Sequence, residues 1–316
     1  MNALPDRLPS DLEPAHRQLF PIREVSRLTG VNPVTLRAWE RRYGLIQPVR
    51  TASGHRLYSQ ADIDTVACIL DWIGRGVSVS KVGSLIARRE AAGAQPWVGA
   101  GAAELSLWWP PLREAVRQFD VAALERLWER LSASLSVEQA FGRVLLPLWR
   151  TLRLHQARYG EHSEWLFFDQ FLRLRVLACR QPPSHPARWH IVLAPLSAHC
   201  MELELLVAGL SLQCAEVQVT QLAIGQPLQE LALVCERLGA QALVLFDNHY
   251  PDGDLGKRLT RLAQRIEGPV LLAGEVVHVA QDRLAAVPIG WLASEGPVMR
   301  QRLLQGLAGQ IDLTQC

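Results

Sequence analysis

The chain has no C-x-x-C pair, and its six cysteines (68, 179, 200, 214, 235 and 316) lie scattered over 316 residues. That spacing speaks against a zinc finger, a redox dithiol and the disulfide framework of a small secreted domain. Long apolar runs are missing too, so no stretch reads as a membrane span. There is no P-loop, nucleophile elbow or H-E-x-x-H, hence no catalytic residue or metal ligand is assigned and no enzyme is expected. The first twenty residues, MNALPDRLPSDLEPAHRQLF, mix acids with three prolines and lack the apolar core of a secretory signal. Residues 1–19 read as a flexible leader, and these features together predict a cytoplasmic protein with no membrane partner.

Charge of one sign is also scarce, since 33 Lys and Arg face 31 Asp and Glu for a net +2. Its distribution is uneven. Between Ile22 and Gln60 seven arginines stand against Glu24 and Glu40, a local +5 that leaves −3 for the rest. A basic island on a near-neutral protein is the footprint of a small DNA-binding module. With 49% hydrophobic and 20% charged residues the remainder is ordinary globular sequence, long enough for two or three domains.

In the island, Ile22, Val25 and Leu28 recur at helical spacing, Thr29-Gly30-Val31 interrupts, and Asn32-Pro33 supplies an N-cap and a first-turn proline. A second helix is predicted from Pro33 to about Tyr43, the pairing of a helix-turn-helix. Gly44–Tyr58 should form a small hairpin, or wing, displaying Arg50, His55 and Arg56. Helices over about 60–74 and 79–90, separated by Gly74-Arg75-Gly76, complete a winged unit over 20–90.

Residues 91–104 read as an Ala/Gly-rich linker. Four amphipathic segments over 105–182 predict a helical bundle, with Asp120 and Ser136 as N-caps. Over 188–312, short apolar runs at 190–193, 217–222, 242–246 and 270–273 alternate with helical segments, predicting a doubly wound parallel sheet of flavodoxin-like type. The fold class is therefore multidomain, α and α/β.

The run PIREVSRLTGVNPVTLRAWERRYGLIQPVRTASGHRLYSQADIDTV carries a T-G-V turn, Arg37 and Trp39 on the second helix, E-R-R, and G-x-R-L-Y at Gly54 to Tyr58. It resembles the MerR family across the DNA-binding unit, and its N-P-V-T-L-R-A-W-E-R-R-Y-G-L wording is similar to the MlrA-like branch, which also holds CarH-type regulators. The resemblance implies Arg23, Asn32, Thr35, Arg37, Trp39, Arg41, Arg42, Tyr43, Arg50, His55, Arg56 and Tyr58 as DNA-binding residues. Of these, Thr35, Arg37 and Arg41 are expected to read bases, because guanidinium forks match guanine edges in the major groove. Arg56 and Tyr58 would hold the backbone. For Trp39, Tyr43 and Tyr58 a packing role stands as the alternative.

The resemblance further implies a homodimer or higher homo-oligomer on double-stranded promoter DNA, acting on RNA polymerase indirectly by distorting the promoter, with activation as the MlrA-like expectation. Residues 91–104 do not suit the long dimer helix of smaller family members, so the bundle or wing-flanking helices would supply the contacts.

The bundle and doubly wound domain together resemble the cobalamin-binding module of CarH-type regulators, whose acidic-x-His-x-x-Gly motif puts a histidine on cobalt. Here Ser197-Ala198-His199-Cys200-Met201-Glu202 keeps the histidine but has Ser197 for the acid and Glu202 for the glycine. Later signatures read Phe246-Asp247-Asn248 and Ala273-Gly274, and Glu161-His162 follows Trp149 with eleven residues between. His199, Ser197, Glu161 and His162 are the cofactor candidates. No cofactor is expected to be required for DNA binding, and a glutamate where backbone must approach a corrin weighs against cobalamin. The alternative is a cobalamin-dependent, light-responsive repressor of CarH type.

Overall fold

The computed structural model describes residues 19–51, 53–91, 102–154, 156, 158–180, 186–250 and 253–314. The expected leader, apart from Leu19, and residues 92–101 of the expected linker lie outside them. Two compact units divide between Cys68 and Ile69. That division falls inside one continuous helix. Among the described residues no helix is long and apolar enough to cross a membrane.

In the first unit β1 (Phe20–Pro21) leads into α1 (Ile22–Thr29) and α2 (Pro33–Ala38). Gly30 adopts φ 72° and closes α1, a left-handed position that suits glycine. The Asn32 side chain accepts from the Val34 N–H at 2.8 Å, the expected cap. The second helix does not run as one α-helix to Tyr43: after Ala38 it passes into a π-helical turn, Trp39–Tyr43. β2 (Val49–Arg50) and β3 (Arg56–Tyr58) form the wing, and β1 joins them in a three-stranded antiparallel sheet of order β1-β3-β2. Val25, Leu36, Trp39, Ile46 and Tyr58 are its buried centre. α3 (Gln60–Gly74) starts where Asp62 accepts from both the N–H and the hydroxyl of Ser59 at 2.8 Å.

The second unit begins within α3 and includes α4 (Val79–Ala91), which packs against α13 (Val276–Val279). Its bundle comprises α5 (Ala102–Arg117), α6 (Val121–Ser134), the composite α7 (Val137–Gln139), π segment Ala140–Leu145 and α8 (Leu146–Leu154), and α9 (Glu161–Cys179). Asp120 caps α6 and Ser136 forms a capping box with Gln139, as their spacing predicts. The bundle buries Leu124, Leu131, Phe141, Leu145, Trp149, Phe168 and Leu172 in one cluster with Leu203 and Leu206 of α10 (Glu202–Leu212).

A parallel five-stranded sheet follows in the order β5-β4-β6-β7-β8, with β4 (Trp189–Pro195), β5 (Val217–Gln221), β6 (Ala242–Phe246), β7 (Val270–Ala273) and β8 (Gly290–Trp291). α11 (Leu231–Leu238), α12 (Leu255–Ala263), α13, α14 (Gln281–Leu284) and α15 (Gly296–Leu307) complete it. β6 and β7 are buried throughout, the pattern of strands covered on both faces. The strand order reverses between β4 and β6. In open α/β sheets ligands bind at that reversal, outside the carboxyl ends of the strands.

Candidate nucleic-acid interface and the crevice of the second unit

α1, its αL glycine and the Asn32 cap place α2 and its π turn as a helix whose cations point outward. Arg37, Arg41, Arg42 and Tyr43 are exposed, Thr35 is half-buried, and Arg23 and Asn32 are exposed on the adjoining α1 and turn. The Arg42 guanidinium lies 5.5 Å from the Tyr43 ring centroid, so an amphipathic pair sits at the helix end. The buried side of the helix is Leu36 and Trp39. Trp39 is 4% and Tyr58 0% exposed, which supports the packing alternative for both rings. Desolvation raises the pKa of the Tyr58 hydroxyl.

The wing is tied to the helix by an acid that charge counting alone treats as a reduction of the basic island. Glu40 accepts from Arg56 Nε at 2.5 Å and from Arg50 Nη2 at 3.0 Å. Burial pulls the Glu40 carboxyl up, and the hydrogen bonds and charges of Arg56 and Arg50 outweigh it, leaving it below the ordinary range. The Glu40 bond raises Arg56. Arg56 is half-buried, while Arg50 and His55 remain exposed. The arrangement presents exposed guanidinium groups on a helix beside a fixed hairpin, suited to a duplex groove and its phosphates.

In the second unit, Ser197 and His199 follow β4 in one loop. Ser197 Oγ donates to Asp247 Oδ2 at 2.5 Å and accepts the His199 N–H at 3.1 Å. Leu196 N–H also donates to the Phe246 carbonyl at 3.0 Å, so the exits of β4 and β6 are stitched together at the reversal. His199 is exposed, its ring centroid 6.2 Å from that of His249, and His249 Nδ1 lies 3.1 Å from Asp247 Oδ1. Glu202 pairs with Arg173, which also donates to Asp169 Oδ2 at 2.7 Å. Glu161 opens α9 and accepts the Arg158 N–H at 2.7 Å; His162 Nδ1 meets Gln156 Oε1 at 2.8 Å, and its ring lies 5.7 Å from Trp165.

Behind this loop lie buried charges that sequence reasoning did not single out. Arg75 and Asp71 are each 2% exposed and paired at 2.6 Å. Arg75 Nη1 donates to the Asn248 carbonyl at 3.3 Å, and its own carbonyl accepts the Tyr250 N–H at 2.8 Å. Glu204 is 5% exposed and meets Arg150 at 2.6 Å. Burial raises the Glu204 carboxyl, but Arg150, Arg75 and a hydrogen bond from Asn248 overcome it and bring it down to about 2. Burial opposes the Arg75 charge, and Asp71, Glu204 and Glu275 outweigh that and raise its pKa. Among the described residues no group of three His, Cys, Asp or Glu side chains forms a metal site.

Residues 20–88 match the family model "MerR HTH family regulatory protein". Over 68 residues the chain is 57% identical to the HTH-type transcriptional regulator MlrA of Escherichia coli strain K12, covering 22% of this chain and 28% of MlrA. The match thus spans well under half the length of that relative. The HTH-type transcriptional repressor CarH of Myxococcus xanthus is 27% identical over 285 residues, 84% of this chain and 93% of CarH. CarA, a repressor from the same organism, is 30% identical over 237 residues, 71% of this chain and 75% of CarA. Among solved structures, the monomethylamine corrinoid protein of Methanosarcina barkeri aligns with 62% of this chain and 96% of its own at 11% identity and a TM-score of 0.48.

Proposed function

Because this chain belongs to the MerR family of helix-turn-helix transcriptional regulators, we propose that it binds double-stranded promoter DNA as a homodimer or higher homo-oligomer in the cytoplasm, and catalyses no reaction. The observation that carries this reading is the exposed set Arg37, Arg41 and Arg42 on a helix whose opposite side, Leu36 and Trp39, is buried. Arg37, Arg41 and Thr35 read base edges in the major groove. Arg42, Arg23, Arg50, His55 and Asn32 hold phosphates, with Arg56 set by Glu40. Trp39 and Tyr58 shape the module from within.

Because Ala91 ends α4 and residues 102–104 open α5, we take 20–90 as the DNA-binding region, 92–101 of the expected 91–104 as linker, 102–182 as bundle and 188–312 as the α/β domain. Regulation would act on RNA polymerase indirectly, through distortion of promoter DNA. Activation is the direction we retain from the resemblance to the MlrA-like branch. Repression is the second reading, favoured by CarH and CarA, the relatives that align over most of the chain and are named repressors.

The second unit serves regulation without cobalamin in this proposal, because the residues present do not fit a corrin. Ser197 and Asp247 bridge the strand exits, Glu202 with its Arg173 partner stands where backbone must approach the ring, and Arg75, Asp71 and Glu204 bury charge above the sheet. His199 remains the residue to ligate cobalt in the alternative, CarH-type reading.

The test is selection of duplexes from a random pool by the purified full chain. A near-palindromic motif lost on Arg37→Ala or Arg41→Ala supports the proposal; enrichment of no motif overturns it. Absorbance after mixing with adenosylcobalamin and desalting decides the cofactor. A retained corrin band that His199→Ala removes would establish the CarH-type reading.

A further inference from the structure

Arg75 sits directly after α3 and pairs with Asp71 of that helix, yet it also makes contacts at the far end of the chain. Its guanidinium reaches the Asn248 carbonyl after β6, and its backbone carbonyl takes the Tyr250 N–H. The side chain of Asn248 in turn accepts the Glu275 N–H at 2.9 Å, in the loop after β7, and bonds Glu204 at the start of α10. Glu204 holds Arg150 of α8. One buried chain of polar groups therefore joins α3, α8, α10 and the loops leaving β6 and β7, above the carboxyl ends of the strands. Gly274 is packed to match: at φ 90°, a Cβ there would lie 2.4 Å from the Asp247 carbonyl and 2.9 Å from Asn248 Oδ1.

The loop leaving β6 borders the reversal between β4 and β6, where an open α/β sheet receives its ligand. A ligand in such a crevice normally orders the loops around it and supplies partners for their polar groups. Here those partners are the protein's own. A buried guanidinium with Asp71 beside it, and Asn248 on its fork, satisfies the loop carbonyl that a bound molecule would otherwise meet.

We propose that Arg75 is an internal ligand, its guanidinium filling the crevice above β6 and β7 and holding the loops at 247–250 and 274–276 in place with no small molecule bound. The proposal rests on the cofactor-free reading above. The loops are then held in one conformation by the chain's own groups.

Amide hydrogen exchange on the full-length chain tests it. Arg75→Ala should speed exchange at Tyr250 and Glu275 at least tenfold while the central strand β4 keeps its protection, and millimolar methylguanidinium should restore both amides where ethylammonium does not. If Arg75→Ala fails to fold, the charge-free pair Asp71→Leu with Arg75→Met should fold and show the same local loss, since removing both members of a buried ion pair is tolerated where removing one is not. Wild-type exchange at both amides in whichever variant folds overturns the proposal, as does equal rescue by either cation. A corrin band retained by the wild-type chain would instead overturn the cofactor-free reading, a separate outcome from the exchange result.

Discussion

Glu40 and Arg56, sixteen positions apart, meet at 2.5 Å and join the recognition helix to the wing. Their side chains are 15% and 17% exposed, so the pair is partly shielded from solvent screening. A double-mutant cycle with Glu40→Gln and Arg56→Ala, read by thermal unfolding, is expected to return a coupling of about 1 kcal/mol. A coupling indistinguishable from zero would mean the wing holds its place without this pair.

Exposed and engaged arginines should behave differently on DNA. Arg42→Ala is expected to flatten the dependence of log K on log salt by about one unit with sequence preference unchanged, the mark of a lost phosphate contact. Arg37→Ala or Arg41→Ala should relax preference at one base-pair position by about 1–3 kcal/mol. Arg56→Ala, whose guanidinium Glu40 already engages, should change the slope less than Arg42→Ala. Equal slopes for all four variants would contradict this division of labour.

Glu204 carries a pH dependence of definite sign. Its folded carboxyl titrates at about 2 against an ordinary 4.5. With the folded value lowered, the unfolded chain binds the proton first as pH falls. The contribution is then complete above about pH 5 and is lost as pH falls from about 4.5 to about 2, amounting at neutral pH to roughly 3 kcal/mol. Urea unfolding of wild type and Glu204→Gln across pH should show the stability gap narrowing on acidification through that window. A gap independent of pH would remove Glu204 as the titrating group.

Two glycines with positive φ predict unequal costs. Gly274→Ala drives a methyl group to 2.4 Å from a backbone carbonyl that cannot swing away, and is expected to destabilise by about 2–5 kcal/mol. Gly30, at φ 72°, has nothing within 4 Å of the new Cβ, so Gly30→Ala should cost only the backbone strain, about 1 kcal/mol. Melting temperatures of the two variants give the comparison.

Local rules made the recognition module readable. The Asn32 cap, the Gly30 turn and the basic island needed only spacing and residue type. The same holds for Asp120, Ser136 and the strand runs of the sheet. β1 and β8 escaped notice because two residues, Phe20–Pro21 and Gly290–Trp291, are too short to show alternation. In the sequence Glu40 registers as charge and not as a clamp, because its partners are ten and sixteen residues away. Arg75 was hidden for a stronger reason. Flanked by Gly74 and Gly76 it reads as a break between helices, and its partner Asn248 stands 173 residues later. Burial of a charge is set by tertiary contacts that no local window contains.

Arg75 with Asp71 also constrains which substitutions this chain can tolerate. Taking away Arg75 alone strands Asp71 in a site 2% exposed, and taking away Asp71 alone removes the paired carboxylate from a buried guanidinium. Breaking a buried pair from one side costs about 3–5 kcal/mol, a large share of a domain's stability. Each single replacement is therefore costly, although the joint replacement is tolerable. The buried ion pair works as a lock with two keys: its positions can be exchanged together and not one at a time.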